Sequence, residues 1–341
     1  MTTSGVIGVT SLDTAQIIEL AVAECGGPAL VASLTGETVN RARQKLFLLL
    51  VALTNRGLNL WCQKKYVKPV VAGYDKVTLE PEVVDLLNAS ARQATYTAAT
   101  SIDGANNAAI YDAGTDTVVA GASAVVTYSD DYVVDLYSSP DSFTWTKVGS
   151  AQFSKVVPSA DSKYLGVDAD QRVSARYWKV VATPSTPLLT GSITSAVFAY
   201  NWSDLPMSRF NRDTYASQPQ KLSQTQNITL QYFFDKQTPR PVLWLWPTTA
   251  TDGLQLILWV QRQIQDVGDL TNTLDIPSRW LNAIIYSLAR DIYLGLPAAV
   301  KSPNLFDTLK TQAEYWMGQA EAAETDGSAT RFVFSLRPYT R

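Results

Sequence analysis

Residues 239–297 carry the most restrictive pattern in the sequence: two short apolar segments separated by a turn, then a long segment with helical spacing. The apolar segments are 242–246 and 254–261, and each has the length of a strand. Asp252 and Gly253 stand between them and supply the left-handed backbone that a tight connection needs. The pattern therefore predicts a β-hairpin.

The segment that follows the hairpin predicts an amphipathic helix. Pro277 falls in its first turn, where a missing N–H costs nothing. Apolar residues then recur at helical spacing and form one wide face. The residues expected to anchor the core of this region are Trp246, Trp259, Trp280, Ile284 and Leu288. We expect the indole of Trp280 to pack beneath the hairpin.

Composition limits the chemistry that the chain can perform. The 341 residues include no histidine, which excludes Ser-His-Asp and Cys-His catalysis and imidazole metal sites. Cys25 and Cys62 read as small buried hydrophobic residues rather than as a disulfide. Carboxylate pairs such as Asp130 with Asp131 lie in polar stretches, which makes a glycosidase the least favoured alternative. We predict that the chain is not an enzyme and uses no metal and no cofactor.

Charge and hydrophobicity also restrict the partners. A formal net charge of −3 gives no general attraction to nucleic acid. We find no signal peptide and no apolar run long enough to span a bilayer, so we expect a soluble protein with no membrane partner.

The composition shifts near residue 95, where Thr, Ser, Val, Asp and Gly become frequent and helical periodicity disappears. We predict that residues 95–200 form an inserted β-sandwich. The flanking segments, 1–94 and 201–325, then form the two halves of a helical core, and residues 326–341 form an extended tail. The predicted fold class is α+β and multidomain: a helical core with a small β-hairpin or sheet, plus an inserted all-β, jelly-roll-like domain.

Aromatic residues are frequent in the predicted insert and have two interpretations. They could stack on sugars, but strand aromatics are more often core, because they bury large areas. The six residues concerned are Tyr132, Tyr137, Phe143, Trp145, Tyr177 and Trp178.

The order of motifs after residue 239 resembles the head-to-tail adaptors of short-tailed bacteriophages, the head-completion and packaged-DNA-stabilisation family. That family has a strand ending in W-P or Y-P, a turn, a second strand, an acidic loop, then D-x-P-x-x-W/F and an Ala-rich helix. The matching residues here are Leu245-Trp246-Pro247, Asp252, 254–259, Asp269, Asp275-Ile276-Pro277 and Trp280-Leu281-Asn282-Ala283.

Two further segments resemble discoidin-type, galactose-binding-like jelly rolls. Residues 138–148 are similar to the S-x-D-G-x-x-W-x-x-V hairpin of those domains, and residues 176–180 are similar to their R-Y-x-R-V strand. Ser142 stands where that family has a glycine.

The adaptor resemblance implies a structural protein of the virion neck, assembled in the host cytoplasm. It would form a ring of twelve copies below the portal, extend the DNA channel, retain packaged DNA and receive the tail. Its implied partners are further copies of itself, the portal protein, the tail tube or nozzle protein, and double-stranded DNA passing without sequence-specific contacts. The insert would add a contact with tail fibre or capsid.

The C-terminal tail is the predicted portal-docking segment, because the adaptor family uses its C-terminal extension in this way. The docking residues would be Arg331, Phe332, Phe334, Leu336, Arg337, Tyr339 and Arg341. The alternative is that the tail packs within its own ring. The alternative function for the whole chain is a carbohydrate-binding, host-recognition virion protein that acts through the β-sandwich.

Overall fold

The computed structural model describes residues 12–26, 36–56, 60–126, 131–153, 164–184, 193–219, 221, 225–296, 302 and 304–324. The described residues divide into a helical unit, residues up to 62 and from 263 onward, and a β unit, residues 63–262. Strand accounts for 45% and helix for 29% of the structure. The predicted fold class, built around a helical adaptor core, is therefore wrong: the protein is mostly β.

The α-helices of the described residues are α1 (Thr14–Gly26), α2 (Gly36–Arg56), α3 (Arg212–Ser217), α4 (Leu281–Leu294) and α5 (Leu305–Ala323). Short 3-10 turns occupy Leu60–Cys62 and Ser278–Trp280. Asp13 caps α1: its carboxylate accepts from the Gln16 N–H at 2.7 Å, and the Gln16 side chain accepts from the Asp13 N–H. None of the described helices combines the length and the hydropathy needed to cross a membrane.

The core of the helical unit centres on α4. Ile284 and Leu288 are fully buried, together with apolar residues of α1 and α2. Trp280 is also buried, but its ring packs 5.0 Å from Trp61, and its indole N–H donates to Glu324 at 3.2 Å. Both of these contacts lie within the helical unit. The hairpin beneath which Trp280 was predicted to pack does not form, because its two strands belong to different sheets.

The strands of the β unit follow in chain order. They are β1 (Gln63–Val70), β2 (Lys76–Thr78), β3 (Val83–Ala98), β4 (Ser101–Asp103), β5 (Ala108–Thr117), β6 (Val119–Val126), β7 (Tyr132–Ser139), β8 (Thr146–Phe153), β9 (Tyr164–Asp168), β10 (Ala175–Pro184), β11 (Ile193–Pro206), β12 (Ser208–Arg209), β13 (Thr225–Gln226), β14 (Gln231–Asp235), β15 (Val242–Trp246), β16 (Thr248–Thr249) and β17 (Leu254–Arg262).

A six-stranded central sheet, in the order β1-β17-β3-β11-β6-β9, runs through the whole β unit. Its β11-β6-β9 half packs against a five-stranded sheet, β4-β5-β10-β7-β8, over a core that contains Phe198 and Trp178. Its β1-β17-β3 half packs against a four-stranded sheet, β12-β14-β15-β2, over a core that contains Leu256 and Leu245. The β unit is thus two sandwiches that share one sheet.

The predicted hairpin of residues 242–246 and 254–261 is wrong. β15 pairs with β14 and β2, whereas β17 pairs with β1 and β3 in the central sheet. Leu254 to Leu258 are buried at every position, which is the pattern of a central strand covered on both faces. Trp246 is half-buried on β15, and Trp259 is 46% exposed on β17.

The domain boundaries expected at residues 95 and 200 fall inside β3 and β11. These strands have 16 and 14 residues, and Thr95 pairs with Tyr200 across them. The shift in composition therefore falls in the middle of two paired strands of the central sheet. The chain enters the β unit at Gln63, which pairs with Gln261 near the point where the chain leaves it.

The central sheet curls until its two edge strands approach each other. A Cβ added at Gly166 on β9 would lie 2.7 Å from the Val67 carbonyl oxygen and 2.9 Å from the Pro69 ring, both on β1. Glycine is required here because backbone fills the space that a side chain would need.

The inner face of this curl holds a buried polar cluster around Arg92. Its guanidinium donates to both oxygens of Asp204 at 2.8 and 3.1 Å, to Asp168 at 2.7 Å and to the Gln255 side chain at 3.1 Å. The Arg92 side chain is only 3% exposed. Gln255 in turn donates to the Ser123 hydroxyl at 3.1 Å, so this cluster joins five strands of the central sheet.

Candidate functional site

A cavity of about 550 Å³ opens at the junction of the β5–β6 connection, the segment before β10, and the middle of β11. Its lining combines two aromatic rings with a guanidinium, a carboxylate, an amide and a hydroxyl. The lining residues are Asp116, Thr117, Val118, Arg172, Tyr200, Asn201 and Trp202.

Strand register brings these residues together. Thr117, at the end of β5, pairs with Ala175, the first residue of β10, which places Arg172 beside the same end of the five-stranded sheet. After Val118 the chain enters β6, where Val119 pairs with Tyr200 of β11. Both layers of the sandwich therefore contribute to the cavity: the end of β5, the middle of β11 and the short segment before β10.

A β-bulge in β11 places Asn201 and Trp202 in the lining. Tyr200 pairs with Thr95 and Ser203 pairs with Gln93, so Asn201 and Trp202 together stand opposite a single residue of β3. Asn201 adopts a left-handed backbone with φ of 50°. Asparagine tolerates that region better than most residues, and strained positions of this kind cluster at functional sites.

Arg172 and Trp202 form the central contact of the cavity. The guanidinium carbon lies 6.0 Å from the centroid of the indole, which is the range of a cation–π interaction. The ring of Tyr200 stacks on the ring of Tyr111, with 6.4 Å between their centroids. The ring of Tyr111 stacks in turn on that of Phe198, with 5.4 Å between the centroids. Burial raises the pKa of Tyr111, so this ring stays neutral at ordinary pH.

The aromatic residues considered for sugar stacking divide into two groups. Tyr132 and Trp178 are buried in the core between the sheets. The other four, Tyr137, Phe143, Trp145 and Tyr177, are half-buried or exposed, and Phe143 is 86% exposed.

These surface aromatics do not line the cavity. Two of them lie beside Lys179, whose ammonium is 4.3 Å from the Trp145 centroid and 5.2 Å from that of Tyr137. Asp141 organises the adjoining turn by accepting N–H bonds from Phe143 and Thr144, each at 2.9 Å. Ser142 takes a left-handed φ of 67°, the conformation for which glycine is the usual residue.

Sequence reasoning did not single out Arg172, Asn201 or Trp202 as site residues. The available signal is the sequence Tyr200-Asn201-Trp202, which interrupts strand alternation with a residue that favours turns. All the predicted portal-docking residues, from Arg331 to Arg341, lie outside the described residues.

No protein-family model matches this chain, and no curated protein sequence matches it either. Solved structures give low-scoring likenesses. One is CBM32-1 from a family 31 glycoside hydrolase of Clostridium perfringens, 18% identical over 38% of this chain and 96% of that one, with a TM-score of 0.22. Another is the C-terminal domain of a chitobiase from Bacteroides fragilis, 16% identical over 29% of this chain, with a TM-score of 0.21.

The alignment spans 64% of that chitobiase domain, slightly less than two thirds of its length. At TM-scores near 0.2 the likeness identifies neither fold nor function. Neither of these structures is a head-to-tail adaptor, and the adaptor resemblance gains no support from them.

Proposed function

We propose that the β unit binds carbohydrate in the cavity beside Trp202. The observation that carries this proposal is the pairing of an indole with a guanidinium at 6.0 Å inside a polar cavity. A sugar ring has one face of C–H groups and a rim of hydroxyls. The C–H face can pack on Trp202 or Tyr200, while the hydroxyls reach the surrounding polar groups.

The polar groups of the lining match both hydrogen-bonding roles of a sugar hydroxyl. Asp116 accepts hydrogen bonds, Arg172 donates them, and the Asn201 amide and Thr117 hydroxyl do both. A volume of about 550 Å³ lies within the range of roughly 300–1,000 Å³ that small-ligand pockets occupy.

The position of the cavity on paired strands supports binding without large rearrangement. Asn201 and Trp202 sit in a bulge of β11, and Thr117 sits at a paired position of β5. Ligand-binding groups that are held by a rigid scaffold lose less entropy on binding. This favours a binding module, and the absence of enzyme activity stays a prediction.

The test is a glycan array probed with the full chain, followed by isothermal titration of the best ligands. We expect Trp202→Ala to weaken binding by roughly tenfold or more, since an aromatic stack contributes on the order of 1 kcal/mol beyond area burial. Tyr177→Ala is the matched control, because Tyr177 is a half-buried aromatic of the same unit that does not line the cavity.

Two outcomes would contradict the proposal. One is a full chain that binds no glycan. The other is a chain whose binding survives Trp202→Ala and is lost in Tyr177→Ala, which would move the site to the outer face of the five-stranded sheet. Both variants should be shown to keep the wild-type circular dichroism spectrum.

Carbohydrate binding, an alternative function expected from the sequence, is the function that the cavity favours. The adaptor ring, its portal, tail, capsid and DNA partners, and the virion location stay predictions.

A further inference from the structure

Arg172 differs from Arg92, Arg176 and Arg209 of the same unit, each of which pairs with a carboxylate. Arg176, only four residues further on, donates to both oxygens of Asp112 at 2.9 and 3.0 Å. Among the described residues no ion pair includes Arg172, and its recorded contact is with the ring of Trp202. A ring face offers no lone pairs, so the N–H groups of Arg172 keep their capacity for another acceptor.

We infer that the ligand of this cavity is an acidic sugar, one whose ring carries a carboxylate, as in a uronic acid. The inference rests on the carbohydrate binding proposed above. Guanidinium is always charged at ordinary pH and presents a planar fork that matches a carboxylate through two parallel hydrogen bonds. This fork lies beside the Trp202 ring, with its central carbon 6.0 Å from the ring centroid.

Asp116 narrows the ligand class further. It lines the same cavity and, like Arg172, belongs to no ion pair among the described residues. A ligand with several negative groups would be repelled by this carboxylate. A uronic acid avoids the conflict, because its single carboxylate can meet Arg172 while its hydroxyls donate to Asp116.

Methyl esters provide the matched ligands for the test, because esterification removes the charge and keeps the stereochemistry of the sugar. The full chain would be titrated with the methyl glycosides of galacturonate, glucuronate and mannuronate, which carry one carboxylate each, as the free acid and as the methyl ester. We expect at least one acid to bind about tenfold or more tightly than its ester, in line with the strength of charge-assisted hydrogen bonds.

Variants at two arginines test whether the preference for the acid over its ester arises in the cavity. Arg172→Gln should bring the acid-to-ester affinity ratio close to one, while Arg176→Gln should leave the ratio unchanged. Arg172→Lys keeps the charge without the fork, and we expect it to retain only part of the preference.

The outcomes separate this inference from the proposed function. Equal affinity for acids and esters, with binding lost in Trp202→Ala, would overturn the acidic ligand and keep carbohydrate binding. A preference for acids that persists in Arg172→Gln would also overturn the inference, because the carboxylate would then bind elsewhere. A wild-type chain that binds no sugar on the array or in titration would overturn both.

Discussion

Arg92 and Arg172 occupy opposite kinds of polar site within one β unit. Arg92 lies inside the curl of the central sheet, 3% exposed, with Asp168, Asp204 and Gln255 as acceptors. Arg172 is exposed in a cavity beside Trp202 and belongs to no ion pair among the described residues.

The difference shows how a charged residue contributes to structure in one place and to binding in another. Burial of a guanidinium is tolerated when several acceptors surround it, and such a group then holds its neighbours in register. Burial also opposes the charge of Arg92, yet its carboxylate partners hold its pKa above the usual value. Arg172 has no such set of acceptors, so its hydrogen-bonding capacity is available to a ligand.

The largest effect is expected at Arg92. Arg92→Leu removes the buried partner of Asp204 and leaves Asp168 with Lys65 alone, and it should lower the free energy of unfolding by about 3 kcal/mol. Urea unfolding followed by circular dichroism measures the change. Arg92→Lys, which keeps the charge but not the fork, should lose less. A loss below about 1 kcal/mol for Arg92→Leu would show that the cluster does not hold the curl.

A smaller loss of stability is expected at Gly166, where β9 approaches β1. In Gly166→Ala the new Cβ would meet the Val67 carbonyl oxygen at 2.7 Å, so backbone must shift. Overpacking of this kind typically costs about 1–3 kcal/mol. The control is Gly104→Ala, which has nothing within 4 Å of its added Cβ. Equal stability of the two variants would mean that the edge strands are not held together at this point.

The next largest loss of stability is expected at Asn201, the residue of the cavity with a left-handed backbone. Asn201→Val places a β-branched residue at a φ of 50° and should cost about 1–2 kcal/mol of stability. Asn201→Gly accepts the same backbone and should leave the melting temperature close to wild type while removing the amide from the cavity. If Asn201→Val melted like wild type, the left-handed backbone would not be needed for the bulge.

The smallest effect on stability is expected at Arg172. Arg172→Gln removes no ion pair among the described residues, so the free energy of unfolding should change by less than about 0.5 kcal/mol. This result, set beside Arg92→Leu in the same urea experiment, would sharpen the contrast between the two arginines. A loss comparable to that of Arg92→Leu would break the contrast and give Arg172 a structural role.

Local patterns in the sequence predict the structural features that depend only on residues close together in the chain. The helical spacing of Trp280, Ile284 and Leu288 depends only on residues near in the chain. Ile284 and Leu288 lie in α4, Trp280 lies in the 3-10 turn directly before it, and all three are buried. The strand-rich composition of residues 95–200 likewise matches the strands found in that segment.

Those patterns do not predict which strands or side chains pair when the partners are far apart in the sequence. Asp252 and Gly253 make the turn expected of them, with Gly253 at a φ of 75°, but the strands on either side belong to different sheets. The two arginines also look alike in sequence. The carboxylates that bind Arg92 are 76 and 112 residues away, so only the register of β9 and β11 decides that Arg92 is paired.

The helical unit is assembled from both ends of the described chain, with the whole β unit between them. During synthesis on the ribosome, α1 and α2 therefore emerge long before α4, the helix that fills their common core. The β unit is complete once Arg262 has emerged, and its first and last strands pair directly. Its folding can therefore precede that of the helical unit, and the apolar faces of α1 and α2 remain uncovered during that interval.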